Sequence, residues 1–286
     1  MRLERWTTGK VLDWATRDFR SRRIESPRLE ADLLLAHVLG CRRLDLYTDR
    51  DRPLRSDELA AYREAIRRRR DGEPVAHLTG RREFWSLDLE VTPEVLVPRP
   101  ETETLVEALL GFEPQGPFLD LGTGSGCVAL ALAGERSDVR VDAADVSAAA
   151  LRVARSNAER LGLGDRVRFF EGDLFDPLPA GERYGAIASN PPYVPSGRLS
   201  SLPAEVRREP ELALDGGEDG LDLVRRVLRD AGPRLAPGGV LVVEIDPDQA
   251  RSVAGEIGPR LLGREGEVFE DLARRERVVA FRTTGG

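Results

Sequence analysis

Between Thr7 and Arg70 the apolar positions recur three and four residues apart. Val11, Leu12, Trp14 and Ala15 form one stripe, Leu29, Leu33, Leu34, Ala36, Val38 and Leu39 a second, and Leu59, Tyr62 and Ile66 a third, the spacing of helices that bury one face. Breakers separate the stripes. Ser26-Pro27 reads as a helix start with proline at the first position, Gly40 as a C-terminal cap, and Ser56 as the start of a third helix. The pattern predicts a small all-helical domain over residues 1–80. Its Arg67 to Arg70 run falls at a helix C-terminus, where positive charge complements the macrodipole; the expected state is a solvated helix end, the other reading being contact with RNA or an acidic partner.

The period then changes. Over 83–97, EFWSLDLEVTPEVLV alternates apolar and polar positions with aromatic and β-branched members, which predicts a hairpin, placed as a linker at residues 81–98. Beyond it strands and helices alternate: PFLDLG, a helix over 126–134, VRVDAAD, a helix over 147–161, VRFFEGD, YGAIASN, a long loop and a helix over 218–235, GVLVVEI, a helix over 248–259, then EGEVFED and RVVAFRT. This order predicts a doubly wound α/β domain over 99–286, with a seven-stranded, mostly parallel sheet covered on both faces. Only Leu272 to Glu276 separate the last two strands, too few for a parallel crossover, so that pair is expected to be antiparallel.

Composition narrows the class. Of 286 residues 41% are hydrophobic and 33% charged, which suits a globular chain long enough for two modules. No apolar run approaches the roughly 18 residues of a membrane span, and MRLERWTTGK lacks the apolar region of a signal peptide; a cytoplasmic protein is expected. Cys41, Cys127, His37 and His77 are too few and too scattered for a disulfide framework or a zinc site, so no metal is expected. The net charge of −7 is unevenly spread: residues 1–80 carry 18 Lys/Arg against 14 Asp/Glu, the remainder 25 against 36. A mildly basic head on an acidic body argues against stable binding to nucleic acid.

Two spacings carry candidate chemistry. The strand Phe118-Leu119-Asp120-Leu121 runs straight into Gly122-Thr123-Gly124-Ser125-Gly126, a turn whose glycines let a ligand approach the backbone and the free N–H groups of the next helix. Nineteen residues after Gly126, Asp145 ends the second strand, where a carboxylate can accept hydrogen bonds from both ribose hydroxyls. Asp120 tilts the choice of ligand, since a carboxylate disfavours a pyrophosphate but welcomes the amino group of S-adenosylmethionine. Asp173, at the end of the third strand, is expected near the adenine, with Leu174 as an apolar wall.

After the fourth strand comes Asn190-Pro191-Pro192-Tyr193. Two prolines remove two donors and stiffen the turn, leaving acceptors that can hold a planar amide or amine: the Asn190 side-chain carbonyl, the Pro191 backbone carbonyl, and the Tyr193 ring to stack on the plane. An amide nitrogen is a poor nucleophile because its lone pair is delocalised. Two acceptors on its N–H groups help localise that pair, and fixed orientation toward an electrophilic methyl supplies much of the rate.

The NPPY segment resembles the motif of methyltransferases acting on planar nitrogens, in DNA adenine and in protein glutamine. PVAHLTGRREFW (74–85), VLVPRPETE (95–103), DLGTGSG (120–126) and EPELALDGGEDGL (209–221) narrow this: over essentially its whole length the chain resembles the peptide chain release factor N5-glutamine methyltransferase family, of class I, Rossmann-like fold. The resemblance implies methylation of the glutamine in the Gly-Gly-Gln loop of class 1 release factors, in support of translation termination, with S-adenosylmethionine as donor and S-adenosylhomocysteine as product. It implies cofactor binding by Asp120, Gly122, Thr123, Gly124, Ser125, Gly126, Asp145, Asp173, Leu174 and Asn190, and a catalytic role for Asn190, Pro191 and Tyr193. With Pro192 these hold the substrate glutamine, and Arg99, Pro100 and Glu101 line the cleft, unless Arg99 serves an interdomain salt bridge. The basic helical domain would dock the protein substrate, and a monomer is expected. Two positions depart from the family pattern: Glu244-Ile245-Asp246 stands where relatives commonly have Glu-Ile-Gly, and Leu174 where some have an aromatic residue. The alternatives are a ribosomal protein glutamine methyltransferase, a DNA adenine N6-methyltransferase, which the acidic balance opposes, a cofactor-binding regulator that has lost transfer, and an NAD-dependent dehydrogenase, for which no hydride-transfer acid is evident.

Overall fold

A computed structural model describes residues 5–283. The chain divides into two compact units. One runs to Gly80 and takes in Pro203–Arg208; the other comprises Arg81–Leu202 and continues from Glu209.

The first unit is helical: α1 (Thr8–Ser21), α2 (Pro27–Leu39), α3 (Asp45–Thr48), α4 (Ser56–Arg70) and α5 (Val75–Thr79). Local chemistry sets the ends. Thr7 caps α1 by accepting from the Lys10 N–H, Pro27 opens α2, and Gly40 closes it in the left-handed region at φ 63°, where glycine avoids the Cβ penalty. Leu12, Phe19, Leu34, Leu35, Tyr62 and Ile66 make the core of this unit, with the Tyr62 hydroxyl donating to the Ala31 carbonyl at 3.1 Å.

The arginine run at the end of α4 is a solvated end only in part: Arg67 and Arg68 are exposed, Arg70 is half-buried and Arg69 buried. Arg67 pairs with Glu64 and Asp71, Arg68 with Glu73, and Arg70 with Asp18. Arg69 is only 5% exposed and lies between Glu30, at 2.6 Å, and Glu205 of the Pro203–Arg208 segment. A guanidinium so buried has to be paired on its fork, which gives these four arginines intramolecular partners.

The second unit opens with an antiparallel hairpin, β1 (Arg81–Phe84) and β2 (Leu87–Glu90). It groups with the sheet that follows, because Phe84 and Leu89 are buried in the main core. Trp85 and Ser86 make its two-residue turn with φ of 51° and 60°, the geometry that favours Asn-Gly. Substituting glycine for Ser86 is expected to stabilise this unit by about 0.5–1 kcal/mol, the difference between left-handed strain and glycine entropy, read as a rise in the urea midpoint.

Next come α6 (Glu103–Gly111), β3 (Phe118–Leu121), α7 (Cys127–Glu135), β4 (Val141–Asp145), α8 (Ala148–Arg160), β5 (Val167–Glu171), β6 (Tyr184–Ser189), α9 (Asp222–Ala231), β7 (Leu235–Glu244), β8 (Glu267–Glu270) and β9 (Glu276–Arg282). The seven strands from β3 onward form one sheet in the order β5-β4-β3-β6-β7-β9-β8. The first five are parallel, and β9 runs antiparallel to both β7 and β8. Strand order reverses at β3, so the crevice at the carboxyl ends of β3 and β6 is where such a sheet takes ligands. β3, β6 and most of β7 are buried throughout, as a doubly covered sheet requires.

Two helices differ from expectation. The one expected over 218–235 starts only at Asp222 and passes into a 3-10 turn at Gly232–Arg234, since Gly217 and Gly220 upstream have φ of 90° and 79°. That expected over 248–259 begins as Ala250–Ser252, widens into a π-turn at Val253–Ile257 and ends as Gly258–Leu262; Pro259 lacks the N–H that regular spacing would use.

Candidate active site

The glycine turn between β3 and α7 holds Gly122, Gly124 and Gly126 at φ of 74°, 55° and 84°, a left-handed series that side chains resist. Asp145 braces it: one carboxylate oxygen accepts the Gly124 N–H at 2.8 Å and the other the Ser147 N–H at 2.8 Å. Asp120 braces it from below, its Oδ2 accepting the Thr123 hydroxyl at 2.7 Å and the Ala129 N–H at 3.0 Å. Burial pushes the Asp120 carboxyl up to about 6 and raises Asp145 as well. Asn157, fully buried, joins the turn to the hairpin: its amide donates to the carbonyls of Ser125 and Glu90, and its Oδ1 accepts the Glu90 N–H.

An open cleft of about 790 Å³, part of it bulk solvent, lies along this edge. Asp145, Asp173, Leu174 and Asn190 all line it, and so do apolar groups that sequence reasoning did not single out, notably Val146, Leu96 and Leu212. Val146 and Leu212 are more than half exposed. Leu174 keeps φ at 46°, and Asp173 is engaged by Arg226 at 2.7 Å. A deeper cavity adjoins the cleft, lined by Arg99, Thr102, Asp120, Thr123, Ser125, Cys127 and Asn190. Ser125 Oγ is buried there without a hydrogen-bond partner, a deficit of roughly 1–3 kcal/mol unless a ligand supplies the bond. The Cys127 thiol, pushed up to about 12 by burial, is no nucleophile at neutral pH.

Asn190 lines both cavities, because β6 delivers it to the crevice and the two prolines turn the chain across the carboxyl edge. The segment 214–220 props the turn from behind. Val194 N–H donates to the Leu214 carbonyl and Gly216 N–H to the Val194 carbonyl, while Gln249 donates to the Tyr193 carbonyl at 3.2 Å. A Cβ on Gly216 would come within 2.7 Å of the Pro192 carbonyl oxygen, and one on Gly220 within 2.3 Å of that of Tyr193. The DGGEDGL glycines are thus the room in which the NPPY backbone lies.

Arg99 reaches the deeper cavity while paired with Glu209, both within the second unit, so this is an intradomain bridge. Glu209 Oε2 also accepts the Val97 N–H at 3.0 Å. Sequence reasoning assigned Thr102 and Glu244 no role at the site: the Asn190 amide donates to Thr102 Oγ1 at 3.2 Å, and the Tyr193 hydroxyl to Glu244 Oε1 at 3.3 Å. A carboxylate closing the apolar run GVLVVE at a strand's carboxyl end was the available signal for the second.

Residues 10–80 match the model of the PrmC N-terminal domain, and residues 100–202 that of the methyltransferase small domain. The chain is 42% identical over 286 residues to the release factor glutamine methyltransferase of Rhodopirellula baltica, covering 96% of each, and 43% identical over 274 residues to that of Moorella thermoacetica, covering 95% of this chain and 96% of the relative. This chain belongs to the release factor glutamine methyltransferase family. Solved structures share the fold: a Pyrococcus furiosus methyltransferase (TM-score 0.53, 23% identity, 69% of this chain and 89% of that one) and the hMettl16 catalytic domain in complex with MAT2A 3'UTR hairpin 6 (TM-score 0.57, 18% identity, 74% and 82%).

As a release factor glutamine methyltransferase the chain departs from pattern at Asp246, and the backbone explains why this is tolerated. Asp246 has φ −65°, open to any residue, and its side chain caps the turn Pro247–Gln249 by accepting the Asp248 N–H. Among the described residues no cluster of three or more His, Cys, Asp or Glu side chains is arranged to hold a metal ion, and no helix is long and apolar enough to cross a membrane.

Proposed function

We propose that this methyltransferase moves a methyl group from S-adenosylmethionine to the side-chain amide nitrogen, N5, of the glutamine in the Gly-Gly-Gln loop of class 1 release factors. The observation that carries this reading is the place of Asn190, on the wall common to the open cleft and the adjoining cavity.

The residues present fit the donor. Asp145 retains lone pairs for ribose hydroxyls beyond those the Gly124 and Ser147 N–H groups use, Val146, Leu174 and Leu212 offer apolar surface to a purine, and the buried Ser125 hydroxyl and the Asp120 carboxyl lie where a polar, cationic tail would end. When bound, S-adenosylmethionine supplies a methyl made electrophilic by a sulfonium. The chain's own part is positioning. Asn190 Oδ1 and the Pro191 carbonyl accept the two N–H bonds of the glutamine amide, Pro192 keeps the turn rigid, and the Tyr193 ring covers the amide plane. Two acceptors favour the nitrogen as positive charge develops on it. No strong base is needed, because the alkylated amide is acidic enough to lose its proton.

In this reading the helical unit, residues 1–80 of the sequence, docks the protein substrate, and one protomer suffices, since the residues invoked at the cleft line it within a single chain. The setting would be the cytoplasm, where release factors act. Mass spectrometry of release factor peptides after incubation with the enzyme and S-adenosylmethionine tests it: one added methyl on the Gly-Gly-Gln glutamine is expected, whereas methyl only on a ribosomal protein glutamine or on DNA adenine would replace the reading. Asp145→Ala removes the brace of the glycine turn and two acceptor oxygens, and is expected to weaken S-adenosylhomocysteine binding by about 10- to 100-fold in calorimetry, as for a lost charge-assisted hydrogen bond.

A further inference from the structure

Gly122, Gly124 and Gly126 all have positive φ, and a turn so rich in glycine has little stiffness of its own. Bonds from outside must set its peptide planes. At the end nearer β4 they come from the Ala144 carbonyl, which accepts the N–H groups of Gly122 and Thr123 at 2.8 and 3.1 Å, and from Asp145, which accepts that of Gly124. At the far end the Gly126 N–H closes on the Thr123 carbonyl at 2.8 Å, within the turn itself. The Ser125 carbonyl is held instead by a residue 32 positions away, accepting from the Asn157 amide of α8 at 3.0 Å.

Asn157 is fully buried, and every hydrogen-bonding position of its side chain is filled. An amide has two N–H donors and an oxygen with two lone pairs. One N–H goes to the Ser125 carbonyl and the other to the Glu90 carbonyl at 3.0 Å, while Oδ1 accepts the Glu90 N–H at 2.7 Å and Arg160 Nη1 at 3.0 Å. The Glu90 backbone leaves no choice of orientation: its N–H can only donate, so the asparagine oxygen faces it and both amide protons face carbonyls. Toward β2 the side chain acts as the peptide of one more strand. A turn earlier on α8, Ala154 seats Gly126, where an added Cβ would lie 3.2 Å from the Ala154 Cβ.

We propose that Asn157 is a positioning residue for cofactor binding, the far-end counterpart of Asp145. By holding the Ser125 carbonyl toward β2 it fixes the peptide between Ser125 and Gly126, and with it the place of the Ser125 hydroxyl in the deeper cavity. Without that bond Gly126 permits the peptide to turn over, and Ser125 Oγ loses its fixed relation to the N-terminus of α7. The hairpin, a linker by sequence, becomes part of the cofactor site, since Glu90 is what orients Asn157. The inference takes its ligand from the function proposed above, yet the held peptide exists with no ligand bound. The partners of Asn157 are Ser125, Glu90 and Arg160, none of which holds the glutamine in that reading, so its effect falls on cofactor affinity and not on transfer in the saturated enzyme.

The test compares wild type with Asn157→Asp, Asn157→Leu and Ser156→Ala. Asn157→Asp keeps the size and the acceptor for the Glu90 N–H but sets a carboxylate oxygen against two carbonyls; Asn157→Leu removes every bond at similar volume. Ser156→Ala is the control, cutting a second link between α8 and the hairpin, the 2.7 Å bond to Glu90 Oε2, without touching the turn. In calorimetry on folded protein, the Kd for S-adenosylhomocysteine should rise ~10- to 100-fold in both Asn157 variants and stay within about 2-fold of wild type in Ser156→Ala, with kcat at saturating S-adenosylmethionine changed by less than about 3-fold throughout. In 15N-labelled protein without ligand, the resonance of the Gly126 amide, whose peptide carries the Ser125 carbonyl, should move in both Asn157 variants and not in Ser156→Ala. A wild-type Kd in a folded Asn157 variant, an equal loss in Ser156→Ala, or an unmoved Gly126 resonance would overturn the proposal. If wild type binds no S-adenosylhomocysteine, the functional reading fails and the Gly126 resonance still decides whether Asn157 sets the turn. Should neither Asn157 variant fold, hydrogen exchange of the Glu90 amide in wild type decides: S-adenosylhomocysteine should slow it, and an unchanged rate overturns the proposal.

Discussion

Alanine at Asn190 is expected to lower kcat for release factor methylation by about 10²- to 10³-fold, the loss seen when one preorganised polar group leaves a reacting centre. The side chain is small and half-buried and its amide is bonded to Thr102, so in the proposed role its removal takes away an acceptor while the glycine turn, Asp145 and Ser125 stay as they are. Binding of S-adenosylhomocysteine should therefore persist. Single-turnover methylation beside calorimetry separates the two; equal loss of both would mean that Asn190 serves the cofactor and not the glutamine.

Gly220→Ala should damage the site from outside it. Its φ of 79° costs a side chain about 1–2 kcal/mol, and the new methyl would fall 2.3 Å from the Tyr193 carbonyl oxygen, a backbone atom, and 2.7 Å from Gln249 Nε2. A total destabilisation of about 3 kcal/mol is expected from strain and overpacking together. Because the clash is with the backbone of the NPPY turn, kcat at 20 °C should fall even where the protein stays folded. Gly263→Ala is the control: the same left-handed backbone, φ 75°, with nothing within 4 Å of the added carbon. Urea unfolding and kcat for the pair separate dihedral strain from displacement of Tyr193; a fully active Gly220→Ala enzyme would show that the glycine is not what seats the turn.

Much of this was legible in the chain. The alternation of strands and helices foretold the doubly wound sheet, and the brevity of Leu272 to Glu276 fixed the antiparallel direction of β9 against β8. The glycine turn and NPPY stood out because their chemistry is local: a left-handed backbone or a proline pair is visible in neighbouring residues. What stayed hidden is held by partners far apart in sequence. Thr102 and Glu244 matter only through Asn190 and Tyr193, some 88 and 51 positions away. Asn157 looks like an ordinary helix residue until the Ser125 and Glu90 carbonyls are brought to it. The arginine run misled for the same reason: Arg69 reads as surface charge, and only the fold brings Glu30 and Glu205 against it. Gly217 and Gly220 delay the start of a helix by their dihedrals, but the closeness of the Pro192 carbonyl to Gly216 and of the Tyr193 carbonyl to Gly220 is a fact of tertiary packing.

The buried Arg69 has a bearing on how the chain is made. Glu205 follows it by 136 residues, on the order of ten seconds of synthesis. When α1 to α5 have left the ribosome, their guanidinium has Glu30 alone, and its second carboxylate has not been translated. The helical unit therefore completes itself late, with a segment threaded back from beyond the NPPY turn. Cutting the gene after codon 80 would yield a bundle permanently caught at that earlier stage, with a half-neutralised cation in its interior.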